Sequence, residues 1–194
     1  VNKGIINSEI LNTGGIVGEI VSYKTEGYKD IIIEACKNEG DIITTGTRIG
    51  GIVANISGNS TGVQIIRIKG CSTTNVSFGT RSTTCYTGGI LGYLQAVPSA
   101  DIINISACWT SNMVFPTVGN KYGMVGAPAT LKYILNNCWT NADNDVIKGS
   151  VATITNSYKK ADNKPFSEWV IEANTAWGST EYEFNADGTI NVKK

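Results

Sequence analysis

The sequence contains no histidine. That removes His-dependent triads, imidazole zinc sites and the commonest general base. Neither sign of charge is in excess: Lys and Arg number 16, Asp and Glu number 16, and charged residues make up only 16% of the chain. Nucleic-acid binders carry a basic face, so no nucleic-acid partner is expected. No apolar run approaches the roughly 20 residues of a membrane-spanning helix. Five cysteines occur without a Cys-x-x-Cys. Cys36, Cys71, Cys108 and Cys138 are too far apart to resemble paired zinc ligands. Neither a metal nor a cofactor is called for.

What the chain has is repetition. Gly14-Gly15-Ile16-Val17-Gly18 returns as Gly50-Gly51-Ile52-Val53-Ala54, as Gly88-Gly89-Ile90-Leu91-Gly92, and in worn form as Tyr122-Gly123-Met124-Val125-Gly126. The starts lie 36, 38 and 34 positions apart. A second phrase keeps step: Ile33-x-x-Cys36, Ile68-x-x-Cys71, Ile105-x-x-Cys108 and Leu135-x-x-Cys138. Periods of this size signal a stacked-repeat architecture. No Lys-Ser/Thr of a P-loop follows the glycines, and no Asp lies within them as a calcium-binding solenoid would need.

Between the phrases the pattern is β. Ile31/Ile33, Ile66/Ile68 and Ile103/Ile105 are apolar on alternate positions, while Ile32, Glu34, Arg67, Lys69, Asn104 and Ser106 vary opposite them. That is period-two patterning with one buried face. Ala35, Gly70 or Ala107 then precedes each cysteine, which predicts a corner that turns the thiol inward. With the glycine phrase read as strand and Gly40-Asp41-Ile42-Ile43 leading onward, each repeat reads as three short strands. The sequence therefore predicts an all-β, right-handed parallel β-solenoid of about four to five coils over residues 1–162, with surplus length in loops on one side. Val1–Ile6 stands in the frame of Asn38–Ile42, so the chain reads as starting inside a repeat. A shortened echo, Asn137-Cys138-Trp139-Thr140 against Asn156-Ser157-Tyr158-Lys159, marks the last coil.

Stacked cysteines would lie about 4.8 Å apart. A disulfide permits that distance, but parallel Cβ vectors suit its dihedral poorly. The reading is a buried ladder of free thiols acting as small hydrophobes, with a Cys71–Cys85 bridge as the alternative. Cys85 lies out of frame among Ser82, Thr83 and Thr84, where it is expected to react first. After Asp162 the period changes. Phe166, Trp169, Val170, Ala173, Ala176 and Trp177 fall at helical spacing between Pro165 and Gly178. Glu181–Phe184 and Thr189–Val192 flank Asn185-Ala186-Asp187-Gly188 as a hairpin. Residues 163–194 are thus expected to form a helix–hairpin cap over the exposed end coil.

These phrases resemble the GLUG motif of large secreted and surface-attached bacterial proteins, among them parts of IgA-directed metalloendopeptidases and haemagglutinin-like adhesins. The likeness rests on Gly15-Ile16-Val17-Gly18, Gly51-Ile52-Val53-Ala54 and Gly89-Ile90-Leu91-Gly92. Ile stands for the motif's Leu, and Ala54 for its last Gly. Cys108-Trp109, Cys138-Trp139 and the Trp-bearing tail are similar to the ends of such arrays in gut Bacteroidales proteins. The resemblance implies a β-helix outside the cell, at the bacterial surface, in an adhesin without catalytic residues of its own.

Three residues stand out for binding. Trp109, Trp139 and Tyr158 each follow the Cys/Ser position, so their rings should stack on successive coils as a platform for sugar rings or pack beneath a loop or the cap. Asn141-x-Asp143-x-Asp145 imitates the start of a calcium loop, but Val146 and Ala152 occupy the Gly and Glu positions, which leaves a solvated loop. Asp30 and Asp101 could stack, though strand-edge turns explain them. The expectation is a non-enzymatic, monomeric interaction or adhesion domain, with a host or microbial glycan or surface protein as partner. The rivals are a carbohydrate-active β-helix enzyme and a purely structural stalk.

Overall fold

The computed structural model describes residues 1–22, 30–58, 65–95, 102–126, 133–143 and 153–194. The first coil carries strands β1 (Ile6–Ser8), β2 (Asn12–Gly14), β3 (Val17–Ser22), β4 (Ile31–Glu34) and β5 (Lys37–Asn38). The second repeats them as β6 (Ile42–Thr44), β7 (Arg48–Gly50), β8 (Val53–Gly58), β9 (Ile65–Lys69) and β10 (Ser72–Thr74). The third has β11 (Phe78–Thr80), β12 (Tyr86–Gly88), β13 (Leu91–Leu94), β14 (Ile102–Ser106) and β15 (Trp109–Ser111). A fourth, plainer coil holds β16 (Asn120–Tyr122), β17 (Tyr133–Asn136) and β18 (Trp139–Thr140), and β19 (Thr153–Thr155) begins a fifth turn. Equivalent strands pair in parallel to give five sheets: I (β1, β6, β11), II (β2, β7, β12, β16), III (β3, β8, β13), IV (β4, β9, β14, β17, β19) and V (β5, β10, β15, β18). The chain is a parallel β-solenoid.

Both phrases are in register. Gly14, Gly50, Gly88 and Tyr122 are successive partners, as are Ile33, Ile68, Ile105, Leu135 and Ile154. The count of three strands per coil is corrected to five. The glycine phrase is not one strand but the corner between sheets II and III. There a Cβ on Gly51 would meet the carbonyl of Gly89 and the side chain of Thr73, and one on Gly50 would meet the carbonyl of Val53. Backbone packs on backbone at this bend, which only glycine allows.

The predicted corner before each cysteine is present. Ala35, Gly70, Ala107, Asn137 and Asn156 all have positive φ, between 46° and 60°. Four of these carry a side chain, at about 1–2 kcal/mol of strain each. The bend sends the next residue inward, where Cys71, Cys108 and Cys138 are fully buried among Ile66, Ile68, Ile103, Ile105 and Leu135. Their thiols donate to main-chain carbonyls, Cys108 to Ile68 at 3.5 Å and to Ser106 at 3.3 Å. All five cysteines are free, so no Cys71–Cys85 bridge forms. Burial, then the thiols of Cys138 and Cys71, push Cys108 well above the ordinary thiol range.

Cys85 corrects another expectation. Its Thr-rich surroundings suggested an exposed loop, yet it is fully buried in a second core with Ile42, Ile49, Val76 and Phe78. It lies one residue before β12, and a Cβ on Gly119 in the next coil would strike its sulfur. Cys36 is the half-buried thiol, because no coil of the described structure covers the first one.

The tail comprises α1 (Phe166–Trp177) and a hairpin of β20 (Tyr182–Phe184) and β21 (Ile190–Val192), with Gly178 left-handed after the helix. It does not cap the end of the solenoid as expected; it lies lengthwise along the corner between sheets IV and V. At one end, Trp169 donates its indole N–H to the carbonyl of Asn137 in the fourth coil at 3.0 Å. At the other, Trp177 donates to Glu34 in the first coil at 2.8 Å and covers Gly70. The geometry suits the span: twelve helical residues run about 18 Å, and four stacked strands cover about 14 Å. Small residues at the corner (Ala35, Gly70, Ala107) are what let the helix approach. The first coil meanwhile leaves Val1, Ile5, Ile10 and Leu11 exposed.

Candidate functional site

Sequence reasoning singled out Trp109, Trp139 and Tyr158, and the structure does bring them together. Trp109 pairs with Trp139, and Trp139 bridges to Tyr158, so the three stand on successive turns of one outward row. The same row continues back through Ser72 to Lys37. The rings are not an open platform, however. The tail packs on them because its own apolar face has nowhere else to be buried. Phe166 sits 4.8 Å from Trp109 and 4.9 Å from Trp139, ring centre to ring centre. Trp139 also donates to the carbonyl of Lys164 at 3.1 Å, and the Tyr158 hydroxyl donates to Glu172 at 3.4 Å.

A second surface was not foreseen. At the glycine corner the outward columns of sheets II and III face each other across a crease. One column is Asn12, Arg48, Tyr86 and Asn120; the other is Glu19, Asn55 and Tyr93. The corner glycines permit this approach, since a Cβ on Gly92 would collide with the carbonyl of Ile49. Across the crease Arg48 lies 4.7 Å above the Tyr93 ring, and Tyr86 packs against Tyr93 at 4.8 Å. Arg48 donates to Gln95 at 2.7 Å. Glu19 accepts from Asn55 at 2.8 Å, Ser57 at 2.7 Å and Asn12 at 3.1 Å. Asn55 is fully buried, and its Oδ1 takes no hydrogen bond from any described residue. A signal existed in the sequence: every residue of the two columns stands two before the phrase's first position or one after its last. In a straight strand these positions would not face each other; only the bend at the glycine phrase turns the two columns together.

Several other charged groups pair locally. Asp30 binds Arg67, Glu34 binds Lys69 at 3.1 Å, and Lys37 and Lys3 share Glu39 at 2.7 and 3.7 Å. In the imitation calcium loop, Asn141 joins an asparagine ladder with Asn112 at 3.1 Å, and Asp143 pairs with Lys160 at 3.0 Å. Asp145 and Asp101 lie outside the described residues. No group of three or more metal-ligating side chains occurs among the described residues. Set against known protein families, curated proteins and solved structures, the chain matches none.

Proposed function

We propose that this solenoid is a non-enzymatic interaction domain of an extracellular bacterial surface protein, and that it binds glycan in the crease between sheets II and III. The observation that carries the reading is the contact across the crease of Arg48 and Tyr86 with Tyr93, which continues the column of Glu19 and Asn55. Saccharides are held by aromatic faces against their C–H surfaces and by planar polar side chains on their hydroxyls. The crease offers both on a rigid, strand-borne frame. Glycosidases work with two carboxyl groups on either side of the scissile bond. In the crease no second carboxylate among the described residues shares the hydrogen-bond network of Glu19. The repeat phrases and their GLUG-like spacing support the surface setting.

A glycan array probed with the full chain tests this. Binding lost in Tyr93→Ala and Arg48→Ala, with the fold kept, is the expected result. No binding to any glycan makes the chain a stalk and overturns the proposal. Turnover of a polysaccharide that Glu19→Gln abolishes overturns its non-enzymatic part.

A further inference from the structure

The indoles at the interface between tail and coils are unequally satisfied. Those of Trp139, Trp169 and Trp177 each donate a hydrogen bond of 2.8–3.1 Å. The indole N–H of Trp109 is buried and has no acceptor among the described residues, and the Oγ of Ser72, its neighbour in the row, is likewise buried and unpartnered. Ser72 stands in the row between Trp109, which lies under the hairpin turn, and Lys37, which shares a cleft with Thr189 and Ile190. Gly188 at the hairpin turn lies against the Trp109 ring, where any Cβ would strike Trp109 and Phe166. Tyr182, Thr189 and Ile190 close the other side of a cleft of about 510 Å³ that opens onto Lys37, Glu39 and Lys3.

The helix and the hairpin are held differently. The helix is hydrogen-bonded to the first and fourth coils. The hairpin's described hydrogen bonds run to the helix and to residues within the tail: Phe184 to Asn174 at 2.7 Å, Lys193 to the carbonyl of Ser179 at 2.6 Å, and Thr189 to Asp187 at 2.9 Å. None described reaches a coil. The hairpin thus covers an indole it does not satisfy and rests on the sheet by apolar contact. Such elements open at lower free energy than the body of a fold.

What the tip covers has a definite chemistry. Lys37, Ser72 and Trp109 stand one strand spacing apart, about 4.8 Å each, close to the length of one hexose in an extended chain. The row offers an aromatic face, an indole donor, a hydroxyl and an ammonium in that order. At its far end Lys3 and Lys37 share the carboxylate of Glu39, while Glu34, which also lines the cleft, is paired with Lys69, so three ammonium groups face two carboxylates and one positive charge is in excess. The tip also brings its own carboxylate into the field of Lys37, since Asp187 is held below the usual range first by Thr189 and, more weakly, by Lys37. We propose that Lys37, Ser72 and Trp109 form a second saccharide site, for an acidic oligosaccharide, which the hairpin tip occupies in the free protein.

The proposal shares the glycan-binding reading above but uses a different surface, so the two fail separately: Arg48 and Tyr93 variants leave this site intact. The test uses Gly188→Val in the full chain, which displaces the tip while leaving the Asn174 anchor and the coils unchanged. The probes are a galacturonate hexamer and, as the neutral control, cellohexaose, followed by calorimetry. Removing the lid should tighten the acidic probe roughly tenfold or more, because a closed lid divides the affinity by the open fraction. Adding Lys37→Gln to Gly188→Val should abolish the gain. No gain, or an equal gain for the neutral probe, overturns the proposal. Should Gly188→Val fail to fold, hydrogen exchange on the wild type decides. The Trp109 indole and the β20–β21 amides should exchange roughly a hundredfold faster than the Ile68 amide, and the galacturonate hexamer should further change the exchange of the Trp109 indole. Exchange in step with Ile68, or indifference to the hexamer, overturns it.

Discussion

Two of the corners in each coil, the glycine corner and the cysteine corner, solve opposite problems. At the glycine corner the chain folds back so tightly that main chain packs on main chain, and side chains are expelled to the outside of the crease. At the cysteine corner the bend is made by one left-handed residue, the next side chain turns in, and a shallow ridge of small residues is left outside. The first corner ends with no described element packed across it and its polar groups largely bonded to each other. The second ends covered by the tail, with the Trp109 indole beneath it unpaired. A repeat can thus present a binding face and a docking face from the same coil, depending on which backbone device makes the turn.

The sharpest way to break the comparison is at Gly51. Gly51→Val places a side chain against the Gly89 carbonyl and Thr73, where the backbone has no room to yield. The expected loss exceeds about 5 kcal/mol, comparable to a whole domain's stability, and is read as absence of folded protein by circular dichroism. Had the chain folded normally with valine there, the backbone-on-backbone account of this corner would be wrong.

Trp169→Ala addresses the other corner. The side chain is fully buried and hydrogen-bonded to Asn137, so about 3–5 kcal/mol of tail docking should be lost. Because the tail lies along the side, denaturant unfolding should then show two steps, with the solenoid melting after the tail has left. A single unchanged transition would contradict the lengthwise strap.

A smaller effect concerns pH. Burial works against ionisation of Glu34, but hydrogen bonds from the Trp177 indole and from Lys69 outweigh it and hold the carboxyl below its ordinary value of 4.5. A carboxyl depressed in the folded state contributes stability that is fully present above pH 4.5 and is lost as pH falls through the folded value. Trp177 fluorescence should report loosening of the tail below pH 4.5, and Glu34→Gln should flatten that dependence. Solvent screening keeps the contribution below about 1 kcal/mol.

The least energetic test is a rate. Native alkylation should reach Cys36 first, since it is the one half-buried thiol, although hydrogen bonding with Cys71, then burial, raise its pKa and slow the reaction. Cys85, whose thiol burial also pushes up, should stay unlabelled until the fold opens. Labelling of Cys85 ahead of Cys36, seen by peptide mass, would place it outside the second core.

Architecture was legible because it is written in period. The two phrases determined the stacking register down to individual partners, Gly50 on Gly88 and Ile68 on Ile105, because each coil repeats the same steric demand at the same position. The helix between Pro165 and Gly178 and the hairpin around Asp187 were equally readable, since caps and turns are local chemistry. What the tertiary structure alone decided was direction and exposure. A run such as Gly-Gly-Ile-Val-Gly is compatible with a strand or a bend, and only the approach of the next coil makes it a bend. That bend set Arg48 over Tyr93. Cys85 sat among threonines in the sequence and in a core in space, because burial depends on what the neighbouring coil supplies, here Gly119. The stacking of Trp109, Trp139 and Tyr158 followed from the repeat. Their coverage did not, because a tail's docking face depends on which surface has both apolar area and room for a helix, and no periodicity records that.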